Sequence, residues 1–147
     1  MATNTILQKL DGGSDFGAST SHRRQTETYI ASGTITAGDV VAFDDGKTGA
    51  DRVLYVEQAA INATGNGLAA GVALSDAEAD EPVEVVVAGY VEDVSCAGGV
   101  ATGTVVNAAG TAAGQVEAAV AADTVVFGVT VEAEAAGRVD MIVYKRF

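Results

Sequence analysis

Gly71-Val72-Ala73-Leu74, followed by an acidic loop and then Val83-Glu84-Val85-Val86-Val87, is the stretch whose reading decides the fold. Both runs are short and largely apolar, the second rich in β-branched residues, and they are bounded by Gly, Asp or Pro82, whereas a helix needs apolar residues at a 3.6 period sustained over ten or more positions. The pair recurs downstream as Gly128-Val129-Thr130-Val131 and Val139-Asp140-Met141-Ile142-Val143. Two further landmarks repeat in the same order: Gly38-Asp39-Val40-Val41 with Gly103-Thr104-Val105-Val106, and Val56-Glu57-Gln58-Ala59 with Val116-Glu117-Ala118-Ala119. Collinear landmarks of this kind mark an internal repeat. The first copy carries the longer loops, at Asp44 to Asp51 and Ile61 to Leu68.

Working outward, strands are expected at Tyr29 to Ile35, Asp39 to Asp44, Val53 to Gln58, Ala69 to Leu74, Val83 to Ala88 and Tyr90 to Ser95. A second series is expected at Thr104 to Asn107, Gln115 to Val120, Val125 to Val131 and Arg138 to Lys145. Asp45-Gly46 and Asn66-Gly67 are two-residue hairpin signals. Ala-rich pieces at Ala118 to Ala122 and Ala133 to Ala136 favour single helical turns. Residues 1–27 are polar and without period and read as an extended arm. Residues 28–147 read as one β domain, with repeat one at about 28–95 and repeat two at about 98–147. A unit of about 50 residues is marginal alone, so the two copies are expected to share one core with pseudo-twofold symmetry. The fold class is all-β, a Gly/Ala/Val-rich barrel or sandwich built from two repeated strand units with an N-terminal arm.

The 147 residues hold 18 Gly, one Pro and no Trp, which suits many tight turns around a core of small side chains. Twenty acidic residues against eight basic ones give a net charge of −12, which repels phosphate backbones and anionic membranes and favours solubility at high copy number. No nucleic-acid or membrane partner is expected. Met1 to Lys9 lacks the apolar run of a secretory signal, and the lone Cys96 cannot form an internal disulfide, so synthesis in a cytoplasm is expected.

No catalytic constellation can be assembled. His22, the single histidine, falls in the arm beside Arg23 and Arg24, where no base is held against a nucleophile. Cys96 has no neighbouring cation to activate it and reads as an inert buried thiol. The acidic groups Asp44, Asp45, Asp51 and Asp76, Glu78, Asp80, Glu81 lack the spacing of a calcium loop and read as solvated turns. Zinc lacks ligands. Gly46-Lys47-Thr48 has Val41 where a phosphate loop needs its first glycine. Lys47 invites comparison with the modified lysine of a lipoyl or biotinyl carrier, but the segment joining the repeats holds Cys96 and no lysine. The chain is expected not to be an enzyme, with no cofactor and no metal.

Basic residues gather at the ends of the chain. Ser32-Gly33-Thr34-Ile35-Thr36-Ala37-Gly38-Asp39-Val40-Val41-Ala42-Phe43-Asp44, taken with Gly71 to Leu74 and Val83 to Gly89, resembles the capsid decoration, or cement, proteins of tailed bacteriophages, over about Arg24 to Phe147. The resemblance implies a virion protein on the outer surface of an expanded head, commonly a trimer, clamping neighbouring major capsid subunits and stabilising the head. It makes the major capsid protein the partner, and the contact residues Ser19, Thr20, Ser21, His22, Arg23, Arg24, Gln25, Thr26, Tyr29, Lys145 and Arg146. The alternative is a non-catalytic ligand- or carbohydrate-binding module of a phage fibre or cell surface, against which the scarcity of aromatics counts.

Overall fold

The computed structural model describes residues 24–62, 65–120 and 125–144. These carry nine strands: β1 (Arg24–Ala31), β2 (Val40–Phe43), β3 (Tyr55–Gln58), β4 (Ala69–Ala73), β5 (Pro82–Ser95), β6 (Val105–Ala108), β7 (Val116–Ala118), β8 (Gly128–Thr130) and β9 (Arg138–Val143), with a 3-10 turn at Asp51–Val53. They form one mixed sheet in the order β1-β3-β2-β4-β5-β9-β8-β6-β7, and β1 also pairs with β5. The first five strands therefore close on themselves. Within that ring β1 runs parallel to β3, with Ala31 opposite Val56, and the other pairings are antiparallel.

The second copy is built to the same register. Val41 opposite Gln58 and Ala42 opposite Glu57 correspond to Val106 opposite Ala118 and Asn107 opposite Glu117. Val40 opposite Val72 and Val41 opposite Gly71 correspond to Val105 opposite Val129 and Val106 opposite Gly128. Val72 opposite Val86 corresponds to Val129 opposite Ile142.

The repeat also contains a fifth strand that the landmarks do not include. The C-terminal half of β5 takes in the second copy the place β1 holds in the first: Tyr90 lies opposite Ile142 and Val94 opposite Val139, as Thr26 lies opposite Val86 and Tyr29 opposite Val83. A parallel bridge from Cys96 to Val116 then repeats the one from Ala31 to Val56. The hydrogen bonds agree. Ala31 N–H donates to Glu81 O at 2.9 Å and Ser32 N–H to Val56 O at 2.8 Å; Cys96 N–H donates to Gly137 O and Ala97 N–H to Val116 O, both at 2.9 Å. The molecule is thus two five-strand rings in tandem, with β5 a wall of both.

This sharing accounts for the departures from the sequence reading. The strands expected at Val83 to Ala88 and Tyr90 to Ser95 are one, because Gly89, at φ +96°, bends the chain where a turn is expected and lets it pass from one ring to the next. The strand expected at Tyr29 to Ile35 lies instead at Arg24–Ala31, because pairing with β5 holds the polar residues Arg24 to Glu27 in the sheet with their side chains largely in solvent. The rest of the expected arm lies outside the described residues. Asp45-Gly46 and Asn66-Gly67 do turn, but inside longer loops; β3 and β4 flank β2 on opposite sides, so no hairpin joins them. Ala133 to Ala136 forms no helical turn. Ala136 and Gly137, at φ +52° and +77°, make a tight hairpin in which Ala135 and Arg138 exchange both hydrogen bonds.

Ring one encloses Tyr29, Ala31, Ile35, Val41, Val56, Val83, Val85 and Val87, with Phe43 edge-on to Tyr29 at 5.7 Å. The corresponding interior of ring two holds Val94, Cys96, Val100, Val106, Val116, Val139, Met141 and Val143 around Phe127. The same cluster takes in the outer wall of ring one, Val40, Ala42, Ala69, Val72 and Val86. β2, β4 and the Val85 to Val87 stretch of β5 are consequently buried on both faces, which is why they read as apolar runs with little alternation. Gly71 and Gly128 occupy equivalent places for one steric reason: a Cβ there would fall on the carbonyl oxygen of Val86 or of Ile142 in the adjacent strand.

Candidate functional site

Of the expected contact residues, Ser19, Thr20, Ser21, His22, Arg23, Lys145 and Arg146 lie outside the described residues. Arg24, Gln25 and Thr26 are brought together at the start of β1, where Arg24 and Gln25 are exposed. Tyr29 is an interior residue: it is 7 % exposed, and its hydroxyl donates to Glu27 Oε2 at 2.7 Å. Burial first, then the hydrogen bond and charge of Glu27, push its phenol far above the ordinary tyrosine value. Its ring is committed to the core.

Arg24 opens onto a cleft of about 220 Å³ at the seam between the rings, lined also by Ala37, Gly38, Leu74, Glu92 and Asp93. The seam beside it is a polar junction. Asp39 Oδ2 accepts hydrogen bonds from Thr36 N–H at 3.0 Å and Gln58 Nε2 at 3.1 Å, and its Oδ1 accepts from Ser95 Oγ at 3.3 Å. Arg138 Nη1 reaches Ser95 Oγ and the carbonyls of Ala37 and Asp93 at 2.9 to 3.1 Å. A Cβ at Gly38 would strike both Arg138 and the Asp93 carbonyl, so this glycine lets the rings close on each other. The junction holds the two rings together; each charged group in it is spent on neighbours.

The structure adds Glu57 to the acidic group at the β2–β3 loop, where single carboxylate oxygens of Asp44, Asp45 and Glu57 lie within 4.8 Å of one another. Asp44 accepts from Ser32 Oγ at 2.6 Å and from Gly46 N–H at 2.8 Å, and the Ser32 bond chiefly holds its carboxyl below the usual range. Glu57 moves the other way, raised by partial burial and then by the charges of Asp44 and Asp45. Sequence reading missed Glu57 because it sits on β3, twelve residues beyond Asp45, and only the β2–β3 pairing brings it near. Asp51 does not join the group. With both Asp44 oxygens already accepting, the group serves to close a loop.

The second acidic run behaves similarly. Asp76 Oδ1 accepts from Ala37 N–H and Glu78 Oε2 from Thr34 Oγ1, each at 2.8 Å, while Glu81 Oε2 accepts from Glu78 N–H at 2.9 Å. Asp76 and Glu78 brace the loop that leads from β1 to β2, and Glu81 closes a turn within the β4–β5 loop. Cys96 is buried, and burial raises its thiol above the ordinary value, away from the thiolate that nucleophilic chemistry requires. At its counterpart position ring one has Ala31.

No protein-family model matches the chain, and no curated protein matches it in sequence. A solved structure does match in fold. The N base of the head fiber protein gp8.5 of bacteriophage phi29 superposes with a TM-score of 0.54 over 84 % of this chain and 98 % of that one, at 20 % sequence identity. At that identity the likeness is one of fold, and it takes in nearly the whole of the phi29 chain and about five sixths of this one.

Proposed function

We propose that this chain is a structural protein of a phage virion, seated on the outer surface of an expanded head, where it clamps neighbouring major capsid subunits and stabilises the shell. The observation that carries the reading is the match in fold, over 84 % of the chain, to the base of a phage head fiber. The residue pattern resembling capsid decoration proteins leads to the same place independently. The physical character of the molecule fits: a body of net charge −12 is kept from the genome, and Arg24 and Gln25 at the start of β1 are exposed and open to a partner. Major capsid protein is the partner in this reading, with the chain acting as a homo-oligomer and without catalysis.

The phi29 neighbour favours a second reading, in which the paired rings anchor a fiber without clamping the shell. Mixing purified protein with undecorated expanded capsids separates the two. The clamp reading expects saturable, stoichiometric binding that raises the temperature at which capsids fall apart. Binding with no gain in capsid stability supports the anchor, and absence of saturable binding sinks both. Truncation must stop at residue 23, since β1 begins at Arg24; loss of binding in that truncation, with the fold intact, identifies the N-terminal segment as the attachment.

A further inference from the structure

Three outer-wall positions have opposite fates in the two rings. On ring one Val40, Val86 and Ala69 are buried, whereas on ring two their counterparts Val105, Ile142 and Val126 are 42 %, 39 % and 42 % exposed; Val129, the counterpart of Val72, is half-buried, and Asn107, the counterpart of Ala42, is buried. Register places Val105, Val129 and Ile142 side by side on β6, β8 and β9, with Tyr90 of β5 next in the row. A contiguous apolar row across four strands differs from scattered surface residues, and it marks a surface that meets something.

Within the chain itself the structure shows what covers such a wall. Over ring one lies the β6–β7 loop of ring two: Gly114 N–H donates to Ala59 O at 3.0 Å, Gly114 O accepts from Val40 N–H at 2.8 Å, and Ala109 joins the core cluster there. The corresponding loop of ring one, between β2 and β3, carries Val53 and Leu54 at 55 % and 51 % exposure. We propose that a second copy of this chain docks on the exposed wall. Its β2–β3 loop, led by Val53 and Leu54, lies across Val105, Val129 and Ile142 of the first copy, continuing between chains the packing that joins the rings within one. The contact is heterologous, loop to wall, so it either closes into a ring or propagates as a filament according to the rotation it imposes.

Sedimentation of the full chain over about 1 to 100 µM tests this without any capsid, so its failure leaves the virion reading standing. The wild type is expected to self-associate. Ile142→Glu and Leu54→Glu should each weaken association at least about tenfold with circular dichroism unchanged, since both side chains are exposed; Val126→Glu serves as a second wall variant. The decisive step mixes Ile142→Glu with Leu54→Glu, each retaining the face the other has lost: dimers should form, and nothing larger. A wild type that stays monomeric, association that both wall variants leave intact, or failure of the mixture to pair overturns the proposal. So does a monomeric wild type whose wall binds a hydrophobic dye only after residues 1–23 are removed, because the N-terminal segment is then the occupant.

Discussion

Ring one and ring two run their strands in the same register, yet ring one is packed on both sides of its wall and ring two chiefly on its inside. The difference appears in what fills them. Ring one packs two aromatic rings, Tyr29 and the half-buried Phe43, on strands β1 and β2; ring two has Val94 and Ala108 at those places and supplies bulk just before β8 instead, with Phe127 where ring one has Ala70. Backbone pairing therefore fixes the architecture, while volume is traded among positions so long as the total is kept. A duplicated unit can diverge almost completely in side chains if its ladder and its close-approach glycines are retained.

The sharpest way to break the comparison is Phe127→Ala, which gives ring two the small residue that ring one has at this place without ring one's compensating aromatics. Phe127 is fully buried, and a loss of about 4 kcal/mol is expected in urea denaturation. A loss under about 1 kcal/mol would show that ring two is loosely filled. Next come the paired glycines. Gly71→Ala drives a methyl onto the Val86 carbonyl and the β-branched Val85, and Gly128→Ala onto the Ile142 carbonyl and the movable end of Met141. Both should destabilise, Gly71→Ala by about 3 kcal/mol and Gly128→Ala by about 2; equal losses would mean that the carbonyl alone sets the cost.

The smallest effect concerns charge at the β2–β3 loop. Glu57, whose counterpart Glu117 accepts a hydrogen bond from Thr111 Oγ1 at 2.6 Å, is raised in the fold by burial and by Asp44 and Asp45. The folded state thus holds this proton more tightly than the unfolded one, and the associated stability is present below the ordinary glutamate value and lost as pH rises through the folded value. Glu57→Gln should raise the melting temperature at neutral pH by about 1 °C, the group being largely solvated, and the gain should vanish on acidification below the ordinary glutamate range. A gain that persists in acid would assign the effect to packing.

Much of this fold was legible in the chain because both of its signals are local. Val-rich runs between Gly and Asp located the strands from β2 onward, and the four landmarks matched the copies in the register that the ladder adopts. Closure was not legible. β1 and the second half of β5 share a role but little sequence, Thr26 against Tyr90 and Glu27 against Val91, and their equivalence exists only through what they pair with. Gly89 reads as a turn because a positive φ usually makes one; here a strand on each side of it continues the pairing. The candidate site divides in the same way. Its acidic turns were visible as runs, whereas Glu57 needed a strand pairing and Tyr29 needed a closed ring to reveal it as core.

β5 finally determines how the molecule handles load. Its 14 residues, roughly 45 Å of chain if fully extended, form a wall of each ring with no linker between them. Two domains on a tether can pivot and let one slacken while the other is pulled. Two rings on a common beam have no such play, and a tug on either must shear hydrogen bonds along the strand that also holds the other. The joint behaves as a weld.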